Sequence, residues 1–132
     1  MMAVKDKPLI AVVDDDEMVG EATRELVETF GISAVSFSSA EAFLNSDCVS
    51  KTACLIADVH MPGMSGLQLY RKVTGPNRRI PVIFITAYPD ERLREDALQA
   101  GAIGYMYKPF DPGRLLDCIQ RAIGHWEGEP DS

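Results

Sequence analysis

The chain has 132 residues, of which 46% are hydrophobic and 25% charged, and a formal net charge of -7. That length suits one domain able to bury roughly two thirds of the surface its unfolded form would expose, with no room for a second. The negative charge argues against tight binding to nucleic acid, whose affinity rests on cationic neutralisation of phosphates, so no direct nucleic-acid partner is expected.

No apolar stretch approaches the roughly 20 residues that a membrane span requires, and Met1 to Pro8 is polar without a signal-like core. No membrane partner and a cytoplasmic location are the expectations. Cys48, Cys54 and Cys118 are odd in number and lack metal-like spacing, which predicts reduced thiols, with Cys54 packed in a strand. Residues 1–8 read as an N-terminal extension, 9–124 as the folded body and 125–132 as a polar tail.

In chain order, apolar runs of strand length alternate with segments of helical period, the pattern of an α/β fold built as (βα)5, a doubly wound parallel sheet. The first strand is Leu9 to Val13, apolar on both pleat directions as a strand covered on both faces should be. A helix from Glu17 to Phe30 follows, capped by Asp16, with Val19, Ala22, Leu26, Val27 and Phe30 in its stripe and Gly31 as terminator. Ile32 to Phe37 reads as the second strand. Ser38 with Glu41 matches a capping box opening a short helix through Leu44, and Asn45 to Thr52 reads as loop. Ala53 to Ala57 forms the third strand, and Met61-Pro62-Gly63 turns into a helix from Ser65 to Val73 that Gly75-Pro76-Asn77 ends. Val82 to Ile85 is the fourth strand. Pro89-Asp90 opens a helix carrying Leu93, Ala97 and Ala100 inward, closed by Gly101. The fifth strand runs from Ala102 to Tyr107. Asp111 and Pro112 suit the cap and first position of a last helix, whose Leu115, Leu116, Ile119, Ala122 and Ile123 face the sheet before Gly124. His125 and Trp126 are expected to cover that helix.

Each strand bearing chemistry ends in a polar residue: Asp14-Asp15-Asp16, Asp58, Thr86 and Lys108. In an open parallel sheet these ends meet on one edge, where ligands bind. Crowded carboxylates repel one another unless a cation offsets the repulsion, and Mg2+ suits a hard oxygen donor set. Asp14 and Asp15 form a pair suited to the metal, while Asp58 stands alone at the end of a central strand as the candidate nucleophile for an aspartyl phosphate. Lys108 and the Thr86 hydroxyl would neutralise and hydrogen-bond phosphoryl oxygens. Asp16 reads as a helix cap.

The run VVDDDE, the segment ADVHMPGMSGLQL around Asp58, FITAY around Thr86 and GAIGYMYKPF around Lys108 together resemble the response regulator receiver domain of two-component signalling. The resemblance spans Leu9 to Ile123, and the four motifs in this order make it specific. It implies a flavodoxin-like strand order of 2-1-3-4-5, Mg2+ at Asp14, Asp15 and Asp58 with the main-chain carbonyl of His60, and phosphorylation of Asp58 by a sensor histidine kinase. Thr86 and Lys108 would contact the phosphoryl group, Lys108-Pro109 would be a cis peptide, and Tyr105 would be the switch aromatic that turns inward as the Thr86 hydroxyl moves. His60 and Tyr88 occupy positions that affect how water reaches the acyl phosphate, and a lifetime dependent on His60 is expected. The chain would be no enzyme beyond its own phosphorylation and dephosphorylation. Output would pass through a downstream protein target or an effector domain, and a phosphorylation-dependent homodimer is left open.

The competing enzyme reading is a phosphatase similar to the haloacid dehalogenase superfamily, with Asp14 as nucleophile; the short chain and the lack of an acidic pair after the fourth strand count against it. A flavodoxin-like nucleotide binder would require a phosphate-cradling loop where three aspartates stand. A serine hydrolase fails because Leu67 occupies the position where the nucleophile elbow requires glycine.

Overall fold

The computed structural model describes residues 7–75 and 79–124, so the expectations for residues 1–6, Pro76, Asn77, His125 and Trp126 lie outside the described residues. Five strands, β1 (Leu9–Val13), β2 (Ser33–Phe37), β3 (Thr52–Asp58), β4 (Val82–Thr86) and β5 (Gly104–Tyr107), alternate with helices α1 (Glu17–Thr29), α2 (Ala40–Leu44), α3 (Gly66–Val73), α4 (Glu91–Ala100) and α5 (Pro112–Ile123). All strand pairs are parallel, in the order β2-β1-β3-β4-β5. Among the described residues no helix is long and apolar enough to cross a membrane.

Alternation of side chains along each strand creates two apolar layers. On one face Ala11, Val13, Leu55, Ala57, Val82 and Phe84 pack with residues of α2, α3 and α4; on the other Ile10, Val12, Cys54, Ile56, Ile83 and Ile85 pack with α1 and α5. All seven residues of β3 are buried, whereas edge strand β2 is only half-buried. Both faces of the centre are therefore covered by helices, which explains why its strands read as continuous apolar runs.

Several local expectations are corrected. The cap of α2 is Ser39, whose hydroxyl accepts from the Ala42 N–H at 3.0 Å, one residue later than the Ser38 capping box. In α1, Ala22 is exposed and Thr23 is buried instead, because its hydroxyl donates to the Val19 carbonyl at 2.9 Å and leaves nothing unsatisfied. Ala100 is exposed in the last turn of α4, whose inward face is Ala97 with Leu93 half-buried. Leu116 is half-buried and joins neither layer. Within the expected loop before β3, Val49–Lys51 forms a short 3-10 turn, and β5 starts at Gly104 rather than Ala102. Ser65 caps α3 reciprocally with Gln68, and Asp16 caps α1 through the Met18 and Val19 N–H groups.

Candidate functional site at the carboxyl edge of the sheet

The pleat decides which polar residues meet. Asp14 continues the row Ile10-Val12, Asp58 the row Cys54-Ile56, and Lys108 lies two beyond Met106, so all three extend the layer shared with α1 and α5. Thr86 continues Val82-Phe84 and so extends the opposite layer, which also holds Tyr105. One edge thus carries an acid-lysine group from one face and the Thr86 hydroxyl from the other, with Tyr105 one pleat further in at the register of Phe84.

The Lys108 ammonium bridges the two acids, donating to Asp14 Oδ2 at 3.0 Å and to Asp58 Oδ2 at 3.3 Å. Each remaining strand-end oxygen is held by the backbone two residues on. The Asp16 N–H donates to Asp14 Oδ1 at 2.9 Å, the His60 N–H to Asp58 Oδ1 at 2.9 Å, and the Tyr88 N–H to Thr86 Oγ1 at 3.1 Å. These turns are local consequences of Asp and Thr at a strand end. Lys108 is anchored by its own N–H on the Thr86 carbonyl at 2.8 Å, and the Lys108-Pro109 peptide is cis.

Burial dominates the titration of Asp14 and raises its carboxyl above the ordinary range, aided by the Asp58 charge and opposed by the Asp16 N–H and Lys108. Burial pushes the Lys108 ammonium down, but the hydrogen bonds and charges of Asp14 and Asp58 outweigh it and the net direction is up. Lys108 therefore stays cationic. Asp14, Asp15 and Asp58 each bring a carboxylate oxygen within 4.8 Å of the others, a hard, anionic donor set of the kind a small divalent cation takes. Their exposures differ: the Asp14 side chain is 0% exposed and that of Asp58 11%, while Asp15 is open to solvent.

Around this group, the His60 and Tyr88 rings meet edge to face with centroids 5.5 Å apart and planes at 88°. Tyr105 is turned inward, 6% exposed, with its ring 6.2 Å from Phe84 and 5.7 Å from Tyr107. Two tyrosines outside the expected site residues also bond across elements: the Tyr107 hydroxyl donates to Glu91 Oε2 at 2.8 Å and the Tyr70 hydroxyl to the Ala100 carbonyl at 2.7 Å. Neither bond has a local sequence signal, since each joins separate elements.

The model of the response regulator receiver domain family matches residues 10–120. The chain belongs to that family. Among curated relatives, the response regulator protein TmoT of Ectopseudomonas mendocina is 44% identical over 87% of this chain and 52% of its own length, and the transcriptional regulatory protein FixJ of Azorhizobium caulinodans is 32% identical over 87% and 54%. The chain thus spans about half the length of the curated relatives it matches. Among solved structures, a response regulator receiver protein from Burkholderia phymatum superposes with a TM-score of 0.78 at 40% identity, covering 89% of this chain and 96% of that one. The crystal structure of FixJ-N gives 0.80 at 30% identity, over 97% and 99%. The chain is a receiver domain of two-component systems, with the flavodoxin-like strand order of that fold.

Proposed function

We propose that this receiver domain is switched on when Asp58 accepts a phosphoryl group from the phosphohistidine of a sensor histidine kinase in a Mg2+-dependent reaction. One observation carries the reading: of the two carboxylates that Lys108 binds, only Asp58 retains solvent access, at 11% against 0% for Asp14. The same contrast disfavours a phosphatase with Asp14 as nucleophile.

In the step itself an Asp58 carboxylate oxygen attacks phosphorus, the P–N bond to the kinase imidazole breaks, and its electron pair returns to that ring. Lys108, already within hydrogen-bonding distance of Asp58, offsets the charge gathering on the phosphoryl oxygens. Asp14, Asp15, Asp58 and the His60 carbonyl would hold Mg2+, which supplies further charge neutralisation when bound. The Thr86 hydroxyl can donate to a phosphoryl oxygen while still accepting from the Tyr88 N–H, and Tyr105, the switch aromatic that the family resemblance implies, is already buried in the unphosphorylated structure. The added charge of about minus two is the local event that biases the fold between two states.

The domain has no chemistry beyond its own phosphorylation and dephosphorylation, and it acts in the cytoplasm through a downstream protein target, an effector domain or a homodimer formed on phosphorylation. Incubation with Mg2+ and acetyl phosphate, followed by intact mass measurement, tests the acceptor. Wild type should gain one phosphoryl group and Asp58→Asn none. Equal uptake by both proteins would refute the assignment.

A further inference from the structure

Helix α4 is weakly embedded by ordinary packing. Its sequence ERLREDALQA buries a single residue, Ala97, with Leu93 half-buried and Leu98 exposed. Both its ends are nevertheless tied by tyrosine hydroxyls from other elements. At the start, Tyr107 of β5 donates to Glu91 Oε2 at 2.8 Å; at the end, Tyr70 of α3 donates at 2.7 Å to the carbonyl of Ala100, one of the last-turn acceptors that lack a partner within a helix. The second tie shapes the local sequence. Gly101 has φ +115°, and a Cβ there would lie 2.7 Å from the Tyr70 hydroxyl, so glycine is required both by backbone and by space.

The two tyrosines are ends of one aromatic series through the core. Tyr70 meets Phe84 at 6.0 Å, Phe84 meets Tyr105 at 6.2 Å, and Tyr105 meets Tyr107 at 5.7 Å with planes at 76°. Tyr105 is the member that lacks an anchor, its buried hydroxyl having no hydrogen-bond partner among the described residues. Its ring meets Tyr107 edge to face, so Tyr107 is the tyrosine in direct contact with it.

We propose that the Tyr70 and Tyr107 hydroxyls fasten the two ends of α4, and that the Tyr107–Glu91 bond is the link through which a change at Thr86 and Tyr105 loosens the start of this helix. The link rests on the switch assigned under the proposed function; the double fastening does not.

Amide hydrogen exchange along α4 in the whole chain tests both parts. In the unphosphorylated protein, Tyr107→Phe should raise exchange about three- to ten-fold in the first turns of α4, as expected for losing one hydrogen bond, and leave the last turn unchanged. Tyr70→Phe should do the reverse. Uniform acceleration across α4 in either variant, or none in both, would overturn the fastening. With Mg2+ and acetyl phosphate, wild type should show the first-turn acceleration and Tyr107→Phe no further change, although mass measurement finds it phosphorylated. An equal increment in wild type and Tyr107→Phe would overturn the link. Failure of wild type to take up phosphate would instead refute the acceptor assignment, and the unphosphorylated comparison would still decide the fastening.

Discussion

At the residue scale, burial of Tyr105 sets a measurable property. Desolvation, then the charges of Tyr107, Asp90, Glu91 and Asp58, push its phenol up to about 12 from an ordinary 10.0. The folded form thus favours the protonated phenol, so this group's contribution to stability is complete below pH 10 and is lost as pH rises through about 12. Urea unfolding midpoints should fall across that window in wild type and fall less in Tyr105→Phe; equal losses would show that the phenol is not held as described. The edge-to-face contact of His60 and Tyr88 gives a second expectation. Because the His60 backbone grips Asp58 and the Tyr88 backbone grips Thr86, the rings sit on the segments flanking any acyl phosphate. Dephosphorylation rates of His60→Ala and Tyr88→Ala should differ from wild type, and the double variant should depart from additivity by about 0.5–1.5 kcal/mol, the worth of an aromatic pair. Comparable rates for wild type and His60→Ala would remove the idea.

At the element scale, helix starts are where local sequence was legible but ambiguous by one position. Ser38 and Ser39 are both good caps, and Glu41 three residues after Ser38 favours the first; the backbone chooses Ser39, which is extended at φ -156° and ψ 159° and reaches the Ala42 N–H. Ser39→Ala should therefore cost about 1 kcal/mol in chemical unfolding and Ser38→Ala a few tenths, and the opposite ranking would restore the capping box. At α3 the limiting feature is space. A Cβ on Gly66 would collide with the Asp58 carbonyl oxygen and lie 3.0 Å from Val59 Cα, so backbone on both sides must move. Gly66→Ala should lose about 2 kcal/mol or more of stability and slow phosphoryl uptake together, read by unfolding and by the rate of mass gain. Unchanged values for both would mean that the end of β3 is more yielding than its packing indicates. The α1 stripe failed at Ala22 and Thr23 for a related reason: apolar periodicity assigns a hydroxyl outward, and only the Val19 carbonyl makes its burial acceptable.

At the scale of the whole molecule, the sheet was legible because each strand is a short apolar run with a polar end, and parallel pairing converts those ends into one edge. Leu9–Val13 emerged as read, and the meeting of Asp14, Asp58 and Lys108 followed from pleat parity across residues 44 and 50 apart in sequence. The double fastening of α4 was not legible. Tyr107–Glu91 and Tyr70–Ala100 depend on how a helix lies over neighbours, which neither periodicity nor motif spacing encodes. If the reactive oxygen at this edge belongs to Asp58, borohydride trapping after incubation with Mg2+ and acetyl phosphate will show it, since reduction of an acyl phosphate marks the acceptor for peptide mapping. The mark should fall on Asp58 alone and be lost when EDTA removes the metal. A mark on Asp14 would contradict it.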